Sequence, residues 1–380
     1  MGRWWRRVAL VLGLLLLVLV LFLWLTPPGR TAYKTALFVP QVVPGIPLKP
    51  QKWAGPEVVR EDVRIPLRSG EAAGNLYRIP DDRQHPAVLL FLGVAPAGQD
   101  DERVVNLGEA LARSGMTTLV VWSQPMIEKR LDEEAIPLLV DAFQYLQGRD
   151  DVDAQRVGMS GFCVGGSFSL LAAADPEIRD EVAFVNFFGG YYDMRDLLVQ
   201  VASRARFYDG DQRPWQPDSL TVEVFTTHLI EGLQSSQERE LLEGLFLRGE
   251  EEPPGLLERL SPHGRVVYRL LKGVSLEEAR RLVGQLPAEV QETLSRLSPR
   301  PVIDQVEAQV LIMHDREDNL VPSPESRRLA DALESGGNVY YTEFSFFQHM
   351  DPTRRVGLGT YIRESWKLFL HMYNVISAGS

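Results

Sequence analysis

At 380 residues, with 45% hydrophobic and 24% charged side chains, the chain is long enough for one large domain carrying an insertion, or for two domains. A formal net charge of −11 argues against nucleic acid, whose phosphates it would repel. The single cysteine rules out an internal disulfide and a cysteine-based zinc centre, and it leaves the redox compartment open.

The N-terminus departs from this average. Residues 1–7, MGRWWRR, precede eighteen uncharged apolar residues from Val8 to Leu25. At about 1.5 Å per residue these span roughly 27 Å, the thickness of a thin hydrocarbon core. Trp4, Trp5 and Trp24 stand where interfacial aromatics belong, and Arg3, Arg6 and Arg7 predict a cytoplasmic N-terminus. A cleaved signal peptide is the rival reading. Its apolar stretch is usually shorter and ends in an A-x-A-like site, whereas Thr-Pro-Pro-Gly follows here. The expectation is a single-pass signal anchor over 8–25, with the lipid bilayer as its partner and the rest of the chain extracytoplasmic. Residues 26–56, rich in proline and short of periodicity, read as a linker lying over the domain.

From residue 57 short β runs alternate with amphipathic helices. Val58–Pro66 and Ala73–Ile79 read as an antiparallel hairpin. Ala87–Val94 is a continuous apolar run, as expected of a strand buried on both faces. A helix over Asp101–Ser114, a strand over Thr117–Trp122, a helix over Asp132–Leu146 and a strand at Arg156–Ser160 follow. Val164–Ala174 is helical, and Val182–Phe188 is the next strand. The alternation then lapses over residues 191–305, too long a stretch for a plain loop. Ser235-x-x-Glu238 and Ser275-x-x-Glu278 are capping boxes there, and Pro287 opens a further helix. This segment reads as a helical cap inserted into an α/β domain formed by 57–190 and 306–380. The main pattern resumes with strand Gln309–Met313, helix Pro324–Leu333, strand Val339–Phe347 and a last helix over Arg355–Val375. The fold class is therefore α/β, a doubly wound and mostly parallel sheet whose strand C-termini share one edge.

The chemistry gathers at that edge. Gly161-Phe-Cys163-Val-Gly165 lies between a strand and a helix, the pattern of a nucleophile elbow with cysteine in place of serine. Side chains at the flanking positions would strike the neighbouring strand and helix, and Gly161 and Gly165 remove that bulk. Cys163 stands at a helix N-terminus, where partial positive charge favours a thiolate. The N–H of Val164 can serve as half of an oxyanion hole. The opposing reading is a packed cysteine in a glycine-rich turn. An imidazole and a carboxylate should follow, each on a loop after a later strand. Asp318 follows Gln309–Met313, and His349 follows the last strand. Asp315 and Glu317 share the acidic loop as alternatives, and His314 fits a structural role. The second oxyanion donor should come from the turn at Gly93-Val94-Ala95-Pro96. Proline has no N–H, and Val94 is preferred over Ala95.

These residues resemble the dienelactone hydrolases of the α/β-hydrolase superfamily. The likeness rests on G-F-C-V-G-G, on the acid before Val321-Pro322 and on the histidine after the last strand. It covers roughly 57–190 and 300–378. The segment from His314 to Pro322 follows the superfamily pattern H-G-x-x-D-x-x-V-P, with Asp315 where glycine is usual. The resemblance implies an α/β-hydrolase fold and a Cys163–Asp318–His349 triad that hydrolyses enol lactones and activated esters without metal or cofactor. Two features depart from the family: the 191–305 insertion with the N-terminal anchor, and the turn Leu92–Gly98, which lacks the acidic residue the family carries there. The sequence thus predicts a membrane-anchored hydrolase that cleaves a small-molecule ester, thioester or lactone through acyl-Cys163. Acyl transfer by the same triad and a non-catalytic binding protein on a degenerate hydrolase fold are the alternatives.

Overall fold

The structure is a computed structural model, and it describes residues 2–43, 46–94, 98–349 and 354–379. Its strands are β1 Val59–Leu67, β2 Gly70–Arg78, β3 His85–Phe91, β4 Thr117–Val121 and β5 Val152–Phe162. They continue as β6 Phe184–Phe188, β7 Ala205–Tyr208, β8 Asp211–Pro214, β9 Gln309–Asp315 and β10 Val339–Phe344. Eight of them form one sheet in the order β1-β2-β4-β3-β5-β6-β9-β10. The leading hairpin is antiparallel and joins β4 antiparallel, and all pairings from β4 to β10 are parallel. This is the doubly wound arrangement of an α/β-hydrolase fold. The strand order reverses between β3 and β5, and at that crevice the sheet's carboxyl edge opens to a ligand.

Period-two side-chain alternation explains the two layers. Val185 and Phe187 of β6, with Val310 and Ile312 of β9, enter the core beneath the helices Ala135–Gln147, Val164–Ala173 and Pro324–Glu334. Their neighbours Phe184, Phe188, Leu311 and Met313 enter the opposite core, beneath the helices Glu102–Arg113 and Leu358–Ala378. A strand buried on both faces reads as a continuous apolar run, which is why these strands are visible in the sequence.

Three local differences have physical reasons. The strand expected to run to Phe347 stops at Phe344, because the next amides leave the ladder. Ser345 N–H donates to Glu364 Oε2 and Phe347 N–H to Asp315 Oδ2, each at 2.9 Å. Between β6 and β9, six helices of eight residues or more are accompanied by the hairpin β7–β8, which no alternation marked. Ser235 and Ser275 do cap the helices Ser236–Phe246 and Leu276–Val283.

The largest difference is at residues 26–56. The segment read as an irregular linker forms the helix Pro27–Val42, capped by Thr26, whose hydroxyl accepts the Gly29 N–H at 3.1 Å. Pro27 and Pro28 occupy the first turn, where no amide donor is needed. Thr31, Thr35, Phe38 and Val39 form a buried face, and Phe38 and Val39 share a core with Leu368 and Met372 of the last helix. Proline content masked this periodicity. Before it, Arg7–Leu25 of the helix Gly2–Leu25 is unburied, and that stretch is long and apolar enough to cross a membrane.

Candidate active site

Strand β5 ends at Phe162, and the next helix begins at Val164. Cys163 between them has φ 53° and ψ −133°, a conformation that costs a non-glycine residue on the order of 1–3 kcal/mol. Two clashes-in-waiting fix the flanking residue types. A Cβ at Gly161 would lie 2.2 Å from the Gly165 carbonyl oxygen, and one at Gly165 would lie 2.2 Å from the Phe91 carbonyl oxygen. The turn is locked from a third side by the Cys163 N–H, which donates to Phe188 O at 2.8 Å. Cys163 is 8% exposed.

The acid and the imidazole arrive on separate loops. Asp318 is buried after β9, where Oδ1 accepts the N–H groups of Leu320 at 2.7 Å and Val321 at 3.1 Å. Oδ2 accepts a hydrogen bond from His349 Nδ1 at 2.7 Å. This fixes the tautomer and leaves Nε2 to meet the thiol. Nε2 is buried and has no hydrogen-bond partner among the described residues, and Cys163 lies close enough to act on the ring. His349 has φ 54°, so His349 and Cys163 both sit on strained backbone.

The electrostatics follow from burial and pairing. Burial alone would push the Asp318 carboxyl up, but His349 and His314 outweigh it and hold the group well below the carboxylate range. Burial is likewise the largest influence on His349 and disfavours its charge. Asp318, with Cys163 beside the ring, overcomes it and holds the His349 pKa well above its ordinary value. His314 is the structural histidine the sequence allowed for: Nε2 meets Val321 O at 2.9 Å and Nδ1 meets Ser326 Oγ at 2.5 Å.

Of the alternative acids, Glu317 pairs with Arg206 at the surface, and Asp315 is committed elsewhere. Asp315 is fully buried, accepts the N–H groups of Glu317 and Phe347 at 2.9 Å each, and pairs with Arg354 at 3.0 Å. It therefore clips the loop bearing Asp318 to the loop bearing His349. The structure also brings in residues that sequence reasoning missed. Trp215 Nε1–H donates to Asp318 O at 2.8 Å, and Thr221 Oγ1 donates to Leu320 O at 2.9 Å. Both belong to the inserted segment and clamp the acid loop; nothing local in the sequence signals a contact across about a hundred residues.

Val94 and Val164 line one cavity with Cys163, Leu131, Tyr191 and Val321. Gly93, at φ 67°, brings its turn against the elbow: a Cβ there would lie 2.5 Å from Gly165 N. Residues 95–97, including the alternative donor Ala95, lie outside the described residues. The cavity's far wall is Leu220, Val224 and Phe225 of the helix Ser219–Glu231. Leu241, Leu242, Leu245 and Phe246 of the inserted segment pack into the helical core and do not line the cavity. The space beside the thiol is a narrow cleft of about 30 Å³, room for one or two waters.

Residues 112–204, from the end of the helix before β4 to the helix after β6, match the dienelactone hydrolase family. The chain has an α/β-hydrolase fold, and over this stretch it is dienelactone hydrolase-like. The matched stretch holds the Cys163 elbow, and the loops of Asp318 and His349 lie beyond it. A probable 2-oxo-3-(5-oxofuran-2-ylidene)propanoate lactonase from Bradyrhizobium sp. is 36% identical to this hydrolase over 109 residues, covering 26% of this chain and 43% of the relative. The chain thus matches less than half the length of that lactonase. The hydrolyase poxO from Penicillium oxalicum is 26% identical over 309 residues, covering 77% and 70% of the two chains. Among solved structures, a hyperthermophilic esterase from the archaeon Pyrobaculum calidifontis aligns with a TM-score of 0.46 at 15% identity, over 92% of this chain and 91% of that one.

Proposed function

We propose that this hydrolase cleaves a carboxylic ester, thioester or lactone through a covalent acyl-Cys163 intermediate, with the catalytic domain held at a membrane by residues 8–25. The observation that carries the proposal is the buried Asp318–His349 hydrogen bond of 2.7 Å, directed at the one cysteine of the chain on a strained elbow. His349 Nε2 takes the thiol proton as sulfur attacks the carbonyl carbon. The bond to the leaving oxygen or sulfur breaks, and His349 returns the proton to the leaving group. Water, deprotonated by the same nitrogen, then attacks the acyl carbon and releases Cys163. The N–H groups of Val94 and Val164 hold the oxyanion in both halves, and Asp318 keeps the imidazole oriented. The lactonase name borne by one relative agrees with this reaction class.

The narrow space beside the thiol makes the helix Ser219–Glu231 the element that must shift to admit an acyl group. The lining is apolar apart from Cys163, Tyr191 and Thr221 and holds little water. This favours acyl transfer to an amine or alcohol as the second reading, because an acyl-thiol survives longer where water is scarce. Turnover of a panel of esters, thioesters and lactones by wild type and Cys163→Ser, with alkylation of Cys163 followed by mass spectrometry, tests the proposal. Activity that depends on Cys163 is expected. An inert panel together with an unlabelled cysteine would overturn it and leave a binding protein. Products formed with added amines separate transfer from hydrolysis. For the topology, the three arginines before Val8 support an N-terminus in the cytoplasm and a catalytic domain outside; protease protection in sealed vesicles checks this.

A further inference from the structure

Residues 1–56 contain seven lysines and arginines and no aspartate or glutamate, in a chain whose net charge is −11. The sign reversal is confined to the apolar helix, its flanks and the segment that folds back over the domain. Thr26 alone separates the helix ending at Leu25 from the helix beginning at Pro27. Its extended backbone, φ −104° and ψ 142°, turns the chain sharply. The bend is tight: a Cβ at Gly29 would lie 2.0 Å from the Phe22 carbonyl oxygen. The second helix is packed rather than loose, through buried Phe38 and Val39 and through Gln41, which donates to Asn106 Oδ1 at 2.6 Å. A bilayer that takes up residues 8–25 therefore holds this face of the domain at its headgroups with no slack.

The helix Leu358–Ala378 packs beside Pro27–Val42 and shares its core. Its outer side carries Leu358, Ile362, Trp366 and Leu370, which are 76%, 61%, 58% and 38% exposed. They fall at i, i+4, i+8 and i+12, one stripe along the helix. Trp366 stacks on Phe369 with 5.2 Å between ring centroids. Single exposed apolar residues are ordinary; a continuous stripe marks an interaction surface. The helix's one acid, Glu364, is fully buried and paired with Arg363 and Lys367. The same layer adds Trp53, 73% exposed, with exposed Arg30 and Lys52.

We propose that this face docks on an anionic lipid bilayer, with the stripe from Leu358 to Leu370 entering the boundary between headgroups and acyl chains. The arginines and lysines would meet lipid phosphates, and Trp366 and Trp53 would sit at headgroup depth. This rests on the reading that residues 8–25 enter a bilayer. Charge selects the bilayer over a second copy of the chain, since self-pairing would bring like-charged arginines and lysines into one interface. The domain is then a body seated on the membrane, with its acyl substrates met at the lipid surface.

The test uses the full chain in vesicles of phosphatidylcholine with phosphatidylglycerol. An environment-sensitive dye is placed at Ile362→Cys, or at Glu71→Cys near the start of β2, each in a Cys163→Ser background. Quenching by bromolipid should be at least about two-fold stronger at 362 than at 71, as expected for residues several ångströms into the interface. It should fall when phosphatidylglycerol is omitted or salt is raised. Equal quenching at both positions, in chain that alkaline carbonate cannot extract, would overturn docking while leaving the anchor intact. Stronger quenching at 362 in chain that carbonate does extract would uphold docking and overturn the anchor. Dye–dye self-quenching at 362 in detergent without lipid would assign the face to a second copy and overturn the proposal. The triple change Leu358→Ser, Ile362→Ser, Trp366→Ser, followed by a probe at Lys52→Cys, should abolish quenching at that second position with the circular-dichroism spectrum unchanged.

Discussion

The Asp318–His349 pair ties stability to pH in a way that can be signed. The Asp318 pKa is depressed in the fold, so its contribution is complete above the ordinary value of 3.8 and is lost as pH falls through the lower folded value. The His349 pKa is raised, so its contribution is complete below the ordinary value of 6.5 and is lost as pH rises through the higher folded value. The Tm difference between wild type and His349→Gln should therefore be greatest between these two ordinary values and shrink on either side, as thermal melts in a pH series will report. Asp315 acts through geometry instead. Replacing it with asparagine removes the charge that pairs with Arg354 and puts a donor against one of two N–H groups. Breaking such a buried pair costs about 3 kcal/mol, and a displaced His349 loop should lower kcat by about ten- to a hundred-fold. KM should change little, and Asp315→Gly, the residue usual in the superfamily, should lose activity too because nothing then holds the Phe347 N–H. Both are checked by steady-state kinetics alongside denaturant unfolding.

At the scale of elements, two helices decide behaviour that the sheet does not. The helix Pro27–Val42 closes the core on one side of the sheet, with Phe38 only 1% exposed. Phe38→Ala should cost about 3–5 kcal/mol of unfolding free energy; an irregular, loosely attached linker would lose almost nothing, so urea unfolding separates the two descriptions. The helix Ser219–Glu231 walls the cavity with Phe225. Phe225→Ala opens space beside Cys163 and should shift the preferred acyl group to longer or branched chains, raising kcat/KM for these relative to acetyl esters. The elbow, its helix and the strand alternation were legible because each rests on residues close in sequence. Helix Pro27–Val42 was not, since its prolines resemble loop punctuation until their positions at the first and last turns are known. Hairpin β7–β8 was not, because its strands have four residues each and β8 is exposed throughout, too little for an apolar alternation to show.

For the whole molecule, the one-residue junction at Thr26 would make membrane and domain a single mechanical unit under the proposed reading that residues 8–25 enter a bilayer. Leu14→Arg with Leu17→Arg puts two charges at the centre of the apolar helix, where each costs about 3 kcal/mol on insertion scales. The chain should then move from the membrane pellet to the carbonate-extractable fraction, measured by immunoblot, while its hydrolysis of a soluble ester persists. The sequence by itself determined the apolar N-terminal helix, the α/β class and the positions of Cys163, Asp318 and His349 after successive strands, because periodicity and glycine placement are local properties of a chain. Only the tertiary structure decided that Asp315 braces the two catalytic loops, that Trp215 from the inserted segment holds the acid loop, and that residues 27–42 are part of the core. Each of these depends on contacts between segments far apart in sequence, and a spacing rule carries no information about which distant surfaces the folded sheet brings together.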